Sequence, residues 1–171
     1  MKHLKTYESF KNNSELIRKL EEFGIKNYTI NNDGTIDVDG DVNLSRYNLI
    51  KIPFKFGRVT GRFYCLDNQL TSLEGCPEEV GGYFACSKNN LKNLIGGPQE
   101  VGGDYICINN VLESLEGCAG DIGGNFHYNN NQLEMLDCSS VINGNIYCRG
   151  NNFKEEPEFF GVCGGKILWG E

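Results

Sequence analysis

Residues 61–81 read GRFYCLDNQLTSLEGCPEEVG, and residues 82–102 read GYFACSKNNLKNLIGGPQEVG. The two stretches align without a gap, and the next 21 residues, GDYICINNVLESLEGCAGDIG, align with both. A glycine begins each stretch, an aromatic residue stands two positions later, and a cysteine stands two positions after that. Matched columns at a fixed period indicate a repeat architecture, in which each repeat is one structural unit.

The repeat extends in both directions from these stretches. Its glycine column recurs every 21 residues from Gly40 to Gly124, and the next interval, to Gly144, is 20 residues. The shorter interval indicates that one residue is lost between Leu136 and Cys138. We therefore expect an N-terminal cap in residues 1–39, and six repeats of about 21 residues plus a final strand in residues 40–171.

The apolar columns predict which side of each coil is buried. Residues two positions apart, such as Phe63 and Cys65, point to the same side of a short strand. One coil cannot bury that side alone, so successive coils are expected to stack around a continuous core. The order apolar-x-apolar-x-x-Asn-x-apolar matches a leucine-rich repeat. The predicted fold is therefore a leucine-rich-repeat-like solenoid, mainly of short parallel strands with a loop-rich returning side.

The Asn column and the glycine pairs both have structural explanations. The Asn side chains are expected to satisfy backbone groups where each coil turns away from its strand. The glycine pairs just before the strands are expected either to adopt positive φ or to lie close to the next coil. A phosphate-binding loop is disfavoured, because no Gly-Lys-Ser or Gly-Lys-Thr follows the glycines. The Asn column contains Asn68, Asn89, Asn110, Asn131 and Asn151.

The residues before the first repeat predict a cap made of a helix and a hairpin. Asn13 or Ser14 is the expected N-cap of the helix, and Gly24 is expected to end it. Residues 28–30 and 36–38 flank Asn-Asn-Asp-Gly and are predicted to form the hairpin. The apolar face of the helix would contain Leu16, Ile17, Leu20 and Phe23.

The C-terminal cap is expected to be thinner than the N-terminal cap. The last coil is either covered by nearby apolar side chains, left partly open, or paired with a second molecule through its edge strand. A homodimer through this C-terminal edge is therefore one predicted assembly. The side chains expected to cover the last coil are Phe159, Phe160, Val162, Ile167, Leu168 and Trp169.

Charge and hydropathy limit the classes of partner. The formal net charge is −7, so non-specific binding to nucleic acid is disfavoured. No stretch approaches the roughly 18 consecutive apolar residues that a membrane span needs. The N-terminus also lacks the apolar run of a secretory signal. We predict a cytosolic protein with no membrane partner.

The eight cysteines are explained by the repeat without a metal or a disulfide. Most of them occupy two repeat columns, and the residues that replace them, such as Leu44 and Gly97, are not zinc ligands. No Cys-x-x-Cys pair exists, whereas zinc ligands usually come in closely spaced pairs. Packing as small buried side chains is the preferred interpretation, with a regulatory disulfide as an alternative. No cofactor and no metal are predicted.

No catalytic constellation is evident. His127 lies between the inward residues Phe126 and Tyr128, so its side chain is expected to point outward, away from the column cysteines. Paired acids such as Glu78 and Glu79 are expected to lie in turns on a solvated face. The protein is therefore predicted not to be an enzyme.

The residues that flank the inward strand positions do not repeat, and they are predicted to form a binding face. They alternate to the opposite side of the sheet and are free of the demands of the core. Aromatic and aliphatic members on adjacent coils would make an exposed patch, and large exposed patches with polar borders mark binding sites. The predicted partner-binding residues are Arg62, Tyr64, Leu66, Tyr83, Asp104, Ile106, Ile108, His127, Tyr147 and Arg149.

Residues 70–82, LTSLEGCPEEVGG, resemble the leucine-rich-repeat-like proteins encoded by large tailed bacteriophages. Residues 28–40 and 52–59 are similar to the same group, so the resemblance covers nearly the whole chain. Local departures include Tyr128 in the first cysteine column and Tyr47 in the Asn column. The resemblance implies no catalytic residues. It implies a protein located in the cytoplasm of an infected bacterial host.

Together, the face and the resemblance predict a non-enzymatic protein-protein interaction module. Its expected partner is a bacterial host protein, such as an anti-phage defence component that it would inhibit. One alternative is a structural role as a self-assembling virion or scaffold protein. Another is an acidic DNA mimic, which is disfavoured because the acids are expected to scatter through loops beside basic residues.

Overall fold

A computed structural model of the protein describes residues 14–170. In the repeat region each coil carries two short strands, and strands of successive coils pair in parallel. The prediction of a repeat solenoid built from short parallel strands is confirmed. The second strand in each coil was not predicted, because a two-residue strand such as Glu79–Val80 has only one inward apolar position and shows no alternation.

The strands are numbered along the chain and form two sheets. In spatial order, sheet A contains β1 (Tyr28–Ile30), β2 (Ile36–Val38), β4 (Phe56–Val59), β6 (Glu79–Val80), β8 (Glu100–Val101), β10 (Asp121–Ile122), β12 (Val141–Ile142) and β14 (Val162–Cys163). Sheet B contains β3 (Val42–Asn43), β5 (Phe63–Tyr64), β7 (Phe84–Ala85), β9 (Tyr105–Ile106), β11 (Phe126–His127), β13 (Ile146–Tyr147) and β15 (Ile167–Leu168).

The glycine pairs form the corner between the two sheets. A β-carbon on Gly102 would lie 2.3 Å from the carbonyl oxygen of Gly81 in the preceding coil, and one on Gly123 would lie 2.3 Å from that of Gly102. Neither Gly102 nor Gly123 has positive φ. Close contact between coils, and not a left-handed backbone, is therefore what requires glycine here.

The core is a continuous stack of side chains from both sheets. The rings of Phe63 and Phe84 are stacked with centroids 5.8 Å apart, and Tyr105 and Phe126 continue the row at 4.9 and 5.2 Å. All four side chains are buried, as the repeat predicted. Each coil thus completes the core of its neighbour, which is why no coil is stable alone.

The Asn column has the structural role predicted for it. The Nδ2 group of Asn89 donates to the carbonyl oxygens of Cys65 and Cys86, both at 3.0 Å, and its Oδ1 accepts from the backbone N–H of Leu70 at 3.0 Å. Asn110 and Asn131 repeat this arrangement in the next two coils. The column therefore joins adjacent coils through backbone groups that would otherwise be buried without partners.

The shortened repeat keeps its register because a side chain replaces a missing backbone acceptor. Leu94 donates its N–H to the carbonyl of Glu116 at 2.8 Å in the next coil. One coil later, Leu115 donates instead to the carboxylate Oδ1 of Asp137 at 2.7 Å. Beyond the shortened turn the strands align again, with Phe126 opposite Ile146.

The N-terminal cap agrees with the prediction in most respects. Helix α1 covers residues 14–22, and Gly24 follows it with φ of 68°. Leu20 is buried, and Phe23 packs against the ring of Phe54 at 5.4 Å, whereas Ile17 is exposed. The alternative N-cap Asn13 lies outside the described residues.

The hairpin is confirmed as predicted, and it leads directly into the solenoid. Strands β1 and β2 are antiparallel, and β2 then pairs in parallel with β4. One apolar core runs continuously from Leu20 in the cap to Cys148 in the last full coil.

The C-terminal cap differs from the prediction. Ile167 and Trp169 pack against the core, but Phe160 and Val162 face solvent. The expectation that these two residues cover the last coil is wrong for a local reason. Phe159 bridges to Leu136 and takes the inward position, so the alternation of an extended chain directs Phe160 outward.

Candidate binding face

The ten residues predicted to bind a partner lie in or beside the strands of sheet B, and Tyr64, Ile106, His127 and Tyr147 stand on its outer face. Its central line of side chains, here called the middle row, comes from strand positions paired in register. Because paired strands are about 4.8 Å apart, neighbours in the row are within contact distance. The middle row contains Asn43, Tyr64, Ala85, Ile106, His127, Tyr147 and Leu168.

The middle row is packed and only partly exposed. Ala85 is 2% exposed although it points away from the core, and Tyr64, Ile106 and Tyr147 are half-buried. The side chains on adjacent coils therefore cover one another's flanks. The exposed part of the face is formed by their outer edges and by flanking residues such as Tyr83, which is 42% exposed.

Two flanking rows border the middle row, one formed by the residues two positions before it in each coil and the other by the residues two positions after it. Their aromatic, aliphatic and basic members stand at the surface. Arg62 lies over the ring of Tyr83, with its guanidinium carbon 5.3 Å from the ring centroid, a cation-π geometry. Leu66 and Ile108 are half-buried on the opposite border, and Arg149 is exposed there.

The polar members of the flanking rows have a structural role that the sequence interpretation missed. Asp104 accepts the backbone N–H of Asn125 at 2.7 Å, and Ser87 accepts that of Ile108 at 3.0 Å. Each strand is two residues long, so these neighbouring N–H groups need a side-chain acceptor from the preceding coil. The recurrence of Asp, Asn and Ser beside the strands is the sequence feature that could have predicted this hydrogen bonding.

His127 belongs to a cluster on the middle row. Its imidazole is stacked on the ring of Tyr147, with centroids 4.5 Å apart and planes 2° from parallel, and its Nε2 lies 3.5 Å from Oδ2 of Asp104. Partial burial lowers the pKa of His127 below its ordinary value, although the nearby carboxylate of Asp104 opposes that shift. Burial therefore favours the neutral imidazole over its protonated form.

A concavity opens where the first coils of the face meet the following turns. It has a volume of about 450 Å³ and includes Tyr64 and Leu66 from the predicted face. Arg46, Asp67 and Lys88 form its charged border, and all three adopt positive φ, between 55° and 65°. These three residues were missed, because they occupy variable positions of the repeat that carry no periodic signal.

The cysteines that follow the strands of sheet B, such as Cys65 and Cys107, point to the opposite side of the sheet from His127. All eight are free thiols, and six of them, including Cys65 and Cys107, are buried, in agreement with the predicted packing role. Burial raises the pKa of Cys86 well above its ordinary value and raises that of Cys148 to about 11. Thiols in this environment are poor nucleophiles, because the thiolate is the reactive form.

The outer face of sheet A carries a column of acids. Glu79, Glu100 and Asp121 are paired in register on adjacent strands, and Arg58 at one end forms an ion pair with Glu79 at 3.3 Å. The expectation that the acids scatter through turns is therefore wrong for these three residues. Their alignment follows from the second strand of each coil, which the sequence pattern did not reveal.

No protein-family model, curated protein or solved structure matches the chain. No helix in residues 14–170 has both the length and the apolar character of a membrane span. Over the same residues, no cluster of three or more His, Cys, Asp or Glu side chains is placed to hold a metal ion.

Proposed function

We propose that the protein is a non-enzymatic binding module and that the outer face of sheet B docks a partner protein. One observation carries the proposal. The inward columns repeat from coil to coil, whereas the middle row changes at every strand and places Tyr64, Ile106 and Tyr147 at the surface. Packing in the core explains why the inward columns repeat, but it does not explain which residues occupy the middle row.

The chemistry of the face suits recognition of a protein surface. Tyrosine and arginine are the residues most often found as energetic anchors of interfaces, and Arg62, Tyr64, Tyr83 and Tyr147 provide both types. Every strand beneath them is hydrogen-bonded to its neighbours, so the face is rigid before binding. A rigid face loses little conformational entropy when it docks.

The identity of the partner is supported by the sequence resemblance alone. A protein similar to those of large tailed bacteriophages would act in the cytoplasm of the infected bacterium. The proposed partner is therefore a bacterial host protein, such as a component of anti-phage defence, and binding would inhibit it.

The test is a quantitative affinity purification from infected bacterial cells with two matched variants. The face variant combines Tyr64→Asp, Ile106→Asp and Tyr147→Asp, and the control variant combines Ile50→Asp and Ile95→Asp, two exposed apolar residues outside the face. Circular dichroism establishes that each variant is folded.

We expect a host protein that co-purifies with the wild type and the control but is depleted at least about tenfold with the face variant, because a buried charge at an anchor disrupts packing. Equal recovery with all three proteins would exclude the face as the binding site.

Self-assembly is a second candidate function, and the edge strands favour it. Within residues 14–170, β14 and β15 each pair with a strand on one side only. An unpaired edge can add a strand from another molecule. Light scattering at increasing concentration tests this role, because a strict monomer at high concentration would contradict it.

Mimicry of DNA is a weaker candidate, supported by the aligned acids on sheet A. The column has three carboxylates, and Arg58 and Val141 stand at its two ends. Proteins that bind duplex DNA often contact about 6 to 10 phosphates. A column of three acids is therefore too short to replace such a footprint.

A further inference from the structure

The returning loops of the last two full coils form a groove that is separate from the face on sheet B. The groove has a volume of about 680 Å³ and lies between residues 134–137 of one coil and residues 154–160 of the next. None of its lining residues belongs to the predicted partner-binding set. The predicted binding face therefore does not account for this groove.

Two large apolar side chains in this groove face solvent. Met135 is 67% exposed and Phe160 is 76% exposed. The bridge between Leu136 and Phe159 holds those two residues toward the core, so their neighbours Met135 and Phe160 must point outward. Single exposed apolar residues are ordinary, but two large ones in the same groove are typical of a docking surface.

The border of the groove is strongly acidic. Five carboxylates line it and Lys154 is the single basic residue among them. Over residues 14–170, none of the five forms an ion pair with a basic side chain. The five are Glu134, Asp137, Glu155, Glu156 and Glu158.

We propose that this groove binds a basic protein segment that carries an apolar anchor. The exposed Met135 and Phe160 would contact the anchor, and the glutamates around them would pair with lysine or arginine side chains on either side of it. The carboxylate of Asp137 already accepts from Leu115 and Ser114 and adds only its charge. Methionine is well suited to this role, because its flexible thioether adapts to different apolar shapes. The segment would gain both burial of apolar area and charge pairing.

The charge of the groove decides between the classes of occupant. Nucleic acids and anionic lipid surfaces have the same sign as the five carboxylates and would be repelled. A metal ion is disfavoured, because the described part of the chain places no three suitable ligands together. A cationic, partly apolar protein segment is the occupant that satisfies both the charge and the exposed side chains.

The experiment uses a synthetic amphipathic peptide of lysine and leucine as the probe, with a peptide of glutamate and leucine as the reference. Fluorescence anisotropy at physiological salt measures the affinity for the full chain. The groove variant combines Glu155→Gln, Glu156→Gln and Glu158→Gln. The matched control combines Glu79→Gln, Glu100→Gln and Asp121→Asn, which removes the same number of charges from sheet A.

We expect the lysine peptide to bind and the glutamate peptide not to bind. The groove variant should raise the Kd of the lysine peptide about tenfold, and the control should change it less than about twofold. Equal weakening by both variants would mean that net charge alone attracts the peptide, and it would overturn the proposal. Failure of the lysine peptide to bind would overturn it as well.

A second pair of variants tests the apolar half of the site. Met135→Ser with Phe160→Ser should weaken binding about tenfold, because the anchor loses its contacts. Ile50→Ser with Ile95→Ser, which changes exposed apolar residues elsewhere, should leave the affinity unchanged. The same affinity for both double variants would overturn the proposal.

The proposed peptide site shares no lining residue with the face on sheet B, and the face variant tests this separation. The face variant with Tyr64→Asp, Ile106→Asp and Tyr147→Asp should bind the lysine peptide as the wild type does. Loss of peptide binding in that variant would place the peptide on sheet B and contradict the assignment to the groove.

Discussion

Two departures from the repeat compensate for one another inside the core. Tyr105 stands in a column that has Phe at the neighbouring positions, and its hydroxyl is buried with no hydrogen-bond partner among residues 14–170. Gly97 stands where neighbouring coils have Cys76 and Cys118, and a β-carbon on it would lie 2.9 Å from that hydroxyl. The missing side chain therefore makes room for the extra oxygen.

The contact between Tyr105 and Gly97 predicts how two substitutions change the free energy of unfolding. Tyr105→Phe should raise the free energy of unfolding by about 1 kcal/mol, because it removes a buried unsatisfied hydroxyl. Gly97→Cys should lower it by about 2 kcal/mol in the wild type and by less in the Tyr105→Phe background. Urea unfolding of the wild type, the two single variants and the double variant measures these free energies.

Tyr83→Phe, at an exposed ring, is the matched control and should change stability by less than about 0.5 kcal/mol. A clear loss of stability in Tyr105→Phe would show that the hydroxyl has a partner after all.

His127 provides a prediction about pH. Its pKa is lowered by burial, so between that pKa and 6.5 the unfolded chain binds a proton that the folded protein does not. The contribution of His127 to stability is therefore full above pH 6.5 and is lost as the pH falls through the lowered pKa. An NMR titration of the imidazole should have its midpoint below 6.5.

Two variants separate the causes of this shift. Tyr147→Ala exposes the imidazole and should move its pKa up toward 6.5, whereas Asp104→Asn removes an attractive charge and should move it further down. A midpoint above 6.5 in the wild type would mean that the carboxylate outweighs burial.

At the scale of the element, the strands are short and the contacts between coils provide the stability. The period of 21 residues predicted the strands of sheet B, the inward residues and the Asn column, because each of these leaves a repeated letter in the sequence. It could not predict strands such as β6 and β8, since Glu79–Val80 and Glu100–Val101 are too short for alternation to appear.

The corner glycines give a prediction at this scale. Gly102→Ala should lower the free energy of unfolding by about 2 kcal/mol or more, because its β-carbon would collide with the backbone of the preceding coil. Gly120→Ala is the matched control, since the nearest atom to its β-carbon is 3.8 Å away. Thermal unfolding followed by circular dichroism measures both variants.

Similar melting temperatures for Gly102→Ala and Gly120→Ala would contradict the close approach of the coils at the corner. A melting temperature that is lowered only in Gly102→Ala would support the close approach.

For the whole molecule, the sequence predicted one candidate surface, and the structure contains a second that the sequence did not predict. Alternation with the inward columns was enough to place Tyr64, Ile106, His127 and Tyr147 on the outer face of sheet B. It was not enough to find the acidic groove, because Phe160 is apolar and was assigned to the cap. Only the bridge between Leu136 and Phe159 reveals which way that segment turns.

Thiol modification followed by mass spectrometry tests most directly whether the repeated columns face the core and the variable ones face solvent. In the native wild type, Cys65, Cys86 and Cys107 should resist iodoacetamide until the protein unfolds, because all three are buried and burial raises the pKa of Cys86 and of Cys107. Single variants Tyr64→Cys and Ile106→Cys should each add one rapidly modified site. Rapid modification of Cys65, Cys86 and Cys107 in the folded protein, or protection of both introduced thiols, would contradict the stacking of the coils.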